Sequence, residues 1–359
     1  MIWARDIANL ARRDDLTCTM AYPAMSTNWG RAMTLPDVSV VIPTAGRSTV
    51  VTAVASALHQ TCAPLEVIVV ADCAESAASS AVRNLPEAVR VFFTGGIGAN
   101  GARMRGVVEA KGQVIAFLDD DDVWVSDKLE QQLSVWPTEV GRFCYAVISC
   151  RIAVIDGNGR MLKVLPSRLL GAQQTVADYL FRRTSVAYGD GLLHTSTLMC
   201  DRALMESEPL DLALPRHQDW DWVLRVGQRP DVLIRMCPDV LVRVAVPDRK
   251  SISMSSDWRA SLAWLEERAD QLTARERGDF LLCHTTPIAV RSGSRREGLI
   301  VAGRALRSSR PGFIAWAVWG MHMLSPKLVD RVSILRRRLH HGMRRHDAAD
   351  LLGRPEITA

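Results

Sequence analysis

Two patterns alternate through the first part of the chain. Short unbroken apolar runs are separated by stretches in which apolar residues recur every three or four positions. The runs VSVVIP (Val38–Pro43), LEVIVVAD (Leu65–Asp72), VRVFFT (Val89–Thr94) and QVIAFL (Gln113–Leu118) predict strands buried on both faces. The stretches between them predict helices over Ser48–His59 and Ser76–Leu85, a third from the glycine-rich turn Gly95–Gly101 to near Lys111, and a fourth over Lys128–Leu133. Strands and helices alternating at this spacing imply right-handed crossovers and a mostly parallel, Rossmann-like α/β sheet flanked by helices. Beyond it, Cys144–Asp156 reads as strand, closed by a turn at Gly157–Arg160. Tyr179–Met205 mixes short elements, Arg216–Val226 reads as helix and Val232–Val246 as strand. From Arg259 onward the period is helical. Met1–Pro36 is weakly periodic and predicts a peripheral extension.

In open parallel sheets, ligands bind beyond the carboxyl ends of the strands. Thr44 and Arg47 follow the first strand, Asp72 ends the second, and Asp119–Asp122 end the fourth. The fourth case is VIAFLDDDDVW, an apolar run delivering four adjacent carboxylates. Like charges beside a low-dielectric core are costly unless a cation or hydrogen-bond donors offset them. Mn2+ or Mg2+ suits oxygen ligands of this kind. Strand alternation points Asp119 and Asp121 to one side. The competing readings are a solvated acidic loop or a cluster capping the next helix. Asp72 has two readings as well: contact with a nucleotide base or ribose, or an N-cap. The loop GGIGANGAR can bring backbone N–H groups to a phosphate. It follows the third strand, which rules out a dinucleotide fingerprint. Arg103 and Arg105 can neutralise a diphosphate or pair with the acids. Farther on, Asp219 and Asp221 flank Trp220. Asp221 and Arg225 are spaced for a helix-surface ion pair. Asp219, at the helix start beside aromatics, suits a desolvated general base better. His194 and His217 can ligate a metal, although a lone histidine is more often structural.

Composition changes this picture in one region. The 359-residue chain is 48% apolar and 23% charged, which argues against disorder. Its net charge of +5 is concentrated between Val290 and Arg345, where thirteen Lys or Arg face two acids, Glu297 and Asp330. The eight cysteines form no C-x-x-C and read as reduced thiols of a cytoplasmic protein. No segment resembles a signal peptide or a spanning helix. Aromatics in the basic region lie in an apolar run and are not interleaved with arginines, which argues against nucleic acid. That run, Gly312–Ser325, is bracketed by Pro311 and Pro326 and carries Trp316 and Trp319. As a helix it reaches only ~21 Å, short of a ~30 Å hydrocarbon core. It is expected either to lie at an anionic membrane surface, with Arg304, Arg307, Arg310, Lys327 and Arg336–Arg338 at the headgroups, or to pack on the rest of the protein.

Taken in order, VSVVIPTAGR, LEVIVVAD, GGIGANGARMRGVVEAKGQVIAFLDDDDVWVSDKLEQQL and RHQDWDWVLR resemble the family 2 glycosyltransferases over Asp37–Val246. The resemblance implies the GT-A fold, over residues 37–255; the helical period and the basic charge predict a helical basic extension over 256–345. It implies an inverting enzyme that moves a sugar from a nucleotide-diphosphate donor to a sugar or lipid-linked acceptor, peripheral on the inner face of the plasma membrane. Its implied donor-binding residues are Pro43, Thr44, Arg47, Asp72, Arg103, Asp119 and Asp120, with Asp72 at the base and Asp120 near the ribose. It implies Asp121 as the ligand of Mn2+ or Mg2+ and Asp219 as the catalytic base. Two positions depart from the family pattern. Ala71 stands where a first acid usually precedes Asp72, and Ala102-Arg103-Met104 stands where A-R-N is common. The alternative is a protein of the same fold that binds nucleotide sugar or glycan without turnover. A sugar-1-phosphate nucleotidyltransferase would carry its glycine-rich loop after the first strand, where this chain has only PTAGR.

Overall fold

The computed structural model describes residues 35–137, 143–186, 189–245, 257–292 and 295–324. They form two compact units. The first holds the described residues up to Leu180 and again from Gly191 to 245. The second holds those from Phe181 to Asp190 and from 257 onward.

The first unit is built on one nine-stranded sheet. Its strands are β1 (Val38–Thr44), β2 (Glu66–Ala71), β3 (Val89–Phe93), β4 (Val114–Phe117), β5 (Asp122–Trp124), β6 (Tyr145–Ile155), β7 (Met161–Leu165), β8 (Met199–Asp201) and β9 (Val232–Ala245). Their order is β3-β2-β1-β4-β8-β6-β9-β5, with β7 on β6. The four apolar runs form the parallel set β3-β2-β1-β4, so their carboxyl ends share one edge. The rest is mixed. β8 is antiparallel to β4 and β6, β9 runs parallel to β6, and β5 is antiparallel to β9. This is the expected α/β architecture, with a helical region after it.

The helices of this unit are α1 (Val50–Leu58), α2 (Ser80–Arg83), α3 (Ala99–Glu109), α4 (Lys128–Ser134), α5 (Val176–Phe181, ending at the unit boundary), α6 (Arg202–Ser207) and α7 (Gln218–Val226). The helix expected over Ser76–Leu85 shrinks to α2. The side chain of Ser79 accepts from Val82 N and starts the helix late, because short hydroxyl side chains compete for backbone groups. Gly106 lets α3 lie close on β1, since a Cβ there would stand 2.3 Å from Val41 Cγ1. Pro43 is tolerated in a central strand for a local reason. Val41 O accepts from Leu118 N, so Pro43, two residues on, turns the same edge past the end of β4, where no N–H is needed.

Lys128 opens α4 inside the core and is fully buried. Its Nζ donates to Gln132 Oε1 at 2.5 Å and lies 3.9 Å from the centre of the Trp124 ring. Burial lowers its pKa from 10.5 to about 8. At pH 7 the charge is buried at full cost. Between about pH 8 and 10.5 the folded state has lost a proton that the unfolded chain keeps, so stability from this residue rises with pH. Urea unfolding of the wild type and Lys128→Met should therefore show the difference between them shifting by ~3 kcal/mol in favour of the wild type from pH 7 to 10.5. A difference independent of pH would mean the ammonium is solvated.

The second unit is helical: α8 (Trp258–Glu267), α9 (Ala274–Phe280), α10 (Thr286–Ser292), α11 (Arg295–Ser308) and α12 (Phe313–Leu324), with a π-helical turn at Leu281–Thr285. Phe181 meets Trp264 and Phe280 edge-on, at centroid distances of 5.9 and 5.4 Å. The fully buried Asp279 accepts from Arg183 N, Arg275 Nε and Gly312 N at 2.8–3.0 Å. The apolar run expected to be a helix is α12. It buries Ala315 and Val318, and Trp319 Nε1 donates to Gly298 O at 3.2 Å. Pro326, Lys327 and Arg336–Arg338 lie outside the described residues. No helix among the described residues is long and apolar enough to cross a membrane.

Candidate active site

The four aspartates form a tight turn between β4 and β5, closed by Asp122 N donating to Asp119 O at 3.1 Å. Each of the four carboxylates has its own neighbours. Asp119 is bound by Arg103, which reaches it from α3 with NH2 at 2.6 Å. Asp120 is 1% exposed, accepts from Thr44 Oγ1 at 2.5 Å and pairs with Arg47 at 2.5 Å. Asp121 is 42% exposed and pairs with the other arm of Arg47 at 2.6 Å. Asp122, 3% exposed, accepts from Ser196 Oγ at 2.5 Å and has His194 Nδ1 at 3.7 Å.

His194 and Ser196 reach the turn from the strand next to β4 on the side away from β1. They sit at the short helical turn Thr195–Thr197 before β8, and β8 runs antiparallel to β4. Ser196 fastens the acidic turn twice more, accepting from Asp119 N at 3.0 Å and, through its carbonyl, from Trp124 Nε1 at 2.9 Å. One ligand atom each from Asp119, Asp122 and His194 lies within 4.8 Å of the others, a set that could hold a divalent ion. Two carboxylates and an imidazole suit Mn2+, or Mg2+ completed by other oxygens. Asp121, the ligand the resemblance implies, is outside this set and engaged with Arg47.

The electrostatics fit a cation-binding turn. Burial pushes Asp122 up to about 7, with Asp119 adding to the rise and His194 opposing it. Burial also raises Asp120, against Thr44 and Arg47. For Asp119 burial is outweighed, and Arg103 and His194 hold its carboxyl below the usual range. For His194 burial is again outweighed, here by Asp122, Asp119, Asp219 and Asp121, and its pKa rises.

Asp219 occupies the first turn of α7. The chain enters that helix through His217, whose φ of 60° is left-handed, and whose ring stacks on Trp220 at 5.0 Å. Asp219 Oδ1 accepts from Trp220 N at 2.9 Å. Burial raises its pKa, His194 and Arg103 draw it down, and Asp119 pushes it up. Asp219 therefore faces the acidic turn, and Arg103 links the two through Gln218 Oε1 at 3.3 Å and Asp119. Asp221 is fully buried and takes Arg225 Nε at 3.0 Å, the ion pair its spacing predicts.

Asp72 stands apart from this cluster. Its carboxylate accepts from Thr94 Oγ1, Ile97 N and Gly98 N at 2.7–2.9 Å, so it holds the glycine-rich loop and does not cap the next helix. In that loop Gly95, Gly96 and Gly98 all have φ between 76° and 94°, backbone that favours glycine. Pro43 is buried in β1 beside Thr44. Sequence reasoning gave His194 no firm role and passed over Ser196. Neither is near the acidic run in sequence, and HTST carries no recognisable local signal.

Residues 39–187 match the profile described as Glycosyl transferase family 2. This part of the chain belongs to the family 2 glycosyltransferases. The chain is 31% identical over 180 residues to the amylovoran biosynthesis glycosyltransferase AmsB of Erwinia amylovora, covering 49% of this chain and 56% of that protein. It is 35% identical over 112 residues to the putative teichuronic acid biosynthesis glycosyltransferase TuaG of Bacillus subtilis, covering 30% and 42%. It is 32% identical over 102 residues to WfaP of Escherichia coli, a UDP-Glc:alpha-D-GlcNAc-diphosphoundecaprenol beta-1,3-glucosyltransferase, covering 28% and 41%. The matches span about half or less of these relatives' lengths. Among solved structures, S. aureus TarS superposes with a TM-score of 0.47 at 16% identity, over 83% of this chain and 54% of that one.

Proposed function

We propose that this chain is an inverting glycosyltransferase, taking a sugar from a nucleoside diphosphate and passing it to a hydroxyl acceptor in the assembly of a polysaccharide or glycolipid. The observation that carries the reading is the pairing of a half-buried, desolvated carboxylate, Asp219, with an acidic turn at the carboxyl edge of the parallel strands. In this reading residues 37–255 form the catalytic domain. Asp219 takes the proton of the acceptor hydroxyl. That oxygen bonds to the anomeric carbon as the bond to the diphosphate breaks, and the nucleoside diphosphate leaves with the electron pair. One displacement on one face inverts the centre. Pro43 and Thr44 line the donor side, with Asp120 at the ribose and Asp72 at the base. Arg47 is half-exposed and Arg103 lies beside Asp119, so both can meet diphosphate oxygens. Asp119, Asp122 and His194 would hold Mn2+ or Mg2+, with Asp121, the ligand implied by resemblance, on the same turn. When bound, the ion supplies Lewis-acid stabilisation of charge on the leaving diphosphate. The basic region 256–345 attaches peripherally to an anionic membrane face, near a sugar or lipid-linked acceptor.

Incubating the full chain with UDP-, GDP- and dTDP-sugars, with Mn2+, Mg2+ or EDTA, is expected to release nucleoside diphosphate from one donor class only when metal is present. Thermal protection by a nucleotide sugar without any release would favour a binding protein instead. Neither protection nor release would sink both.

A further inference from the structure

The outward face of α11 holds an unusual mixture. The helix turns Gly298, Val301, Ala302 and Ala305 inward. On the opposite side Leu299, Ile300 and Leu306 are 56%, 52% and 65% exposed. Helical spacing sets Arg296, Gly303, Arg304 and Arg307 among them. Arg304 pairs with Glu266. Arg296 and Arg307 have no ion-pair partner among the described residues. The one acid of α11, Glu297, is occupied elsewhere, accepting from Trp258 Nε1 at 3.1 Å and pairing with Arg259 at 3.5 Å. A side chain at Gly303 would meet nothing within 4 Å, so the middle of the face is open.

The occupant has to satisfy both kinds of group. Water suits the arginines but leaves three large aliphatic side chains unburied. Nucleic acid would meet the arginines and equally leave the aliphatics exposed. A second copy would set arginines against arginines. The chain's own remainder after Leu324 carries the same net sign as the face, with eight Lys or Arg between Ser325 and Ala359 against Asp330, Asp347, Asp350 and Glu356. A bilayer with anionic headgroups satisfies all of them, because acyl chains take the aliphatic tips while arginines reach up to the phosphates.

We propose that the outward face of α11 seats on an anionic membrane surface, with Leu299, Ile300 and Leu306 entering the acyl boundary and Arg296, Arg304 and Arg307 at the headgroups. This rests on the peripheral attachment proposed above and gives it a particular surface, on α11 and not on α12.

The test is co-sedimentation of the full chain with vesicles of phosphatidylcholine, with and without phosphatidylglycerol. The wild type is expected to bind only the anionic vesicles, and less as salt rises. The variant Leu299→Ser/Ile300→Ser/Leu306→Ser should bind them at least about tenfold more weakly, and so should Arg296→Glu/Arg307→Glu. Because all five side chains are replaced on an exposed face, unchanged thermal unfolding serves as the folding control. Equal binding by wild type and both variants would keep peripheral attachment but overturn this face. No binding by the wild type would overturn both. A dimer of the free protein that the serine variant disperses, with no vesicle binding, would assign the face to a second copy.

Discussion

Asp219→Asn is expected to lower sugar transfer about a hundredfold or more while leaving donor binding intact. Asparagine keeps the shape of the side chain and can still accept from Trp220 N, the one hydrogen bond that fixes Asp219 at the head of α7. What it loses is the ability to take a proton. Burial already raises the Asp219 pKa, the direction that makes a carboxylate a stronger base. Donor affinity, read as thermal protection by the nucleotide sugar, should survive because no residue assigned to the donor is altered. Asp221→Asn is the informative control. Asp221 shares Arg225 with Glu208 and the carbonyl of Pro209, so its loss should appear as lowered stability before lowered chemistry. Unchanged transfer by the Asp219 variant would place the base elsewhere.

The second large effect concerns the ion. His194→Ala and Asp119→Asn should each weaken Mn2+ binding at least about tenfold, measured by titrating Mn2+ and following the spin-resonance signal of the free ion. This readout needs neither donor nor acceptor. The comparison with Asp121→Ala decides between two placements. If the ion belongs to the set of Asp119, Asp122 and His194, losing Asp121 costs less than losing His194. If Asp121→Ala abolishes binding and His194→Ala does not, the ion lies on the outer side of the turn, and the residue implied by resemblance holds it.

The parallel half of the sheet was legible from the chain because its strands are unbroken apolar runs, which few other structures accommodate. The edge where Thr44, Asp72 and Asp119–Asp122 gather followed from that topology alone. What escaped was anything decided by pairing across long separations. β5 is three residues long and exists because Asp122–Trp124 finds β9, more than a hundred residues later. β7 forms because Met161–Leu165 folds back on β6. The division of labour within the acidic turn escaped for the same reason. Alternation predicted a common side for Asp119 and Asp121, but a turn replaces the strand there. Arg47, Arg103, Ser196 and His194 then sort the four carboxylates. Asp72 was read as a cap or a base contact, and its grip on the glycine loop depends on β3 lying beside β2.

The second unit has a practical consequence for anyone wishing to separate or exchange the two halves of this protein. It is not a continuous length of chain. Phe181 and the N–H of Arg183 belong to it, yet they are encoded between the strands of the first unit. A fragment starting at 255 would carry Trp264 and Phe280 without the Phe181 ring that packs edge-on against both, and Asp279 without one of its three donors. Gene fusions that graft this region onto another catalytic half must therefore carry the 181–190 excursion with it, or supply its equivalent from the new host.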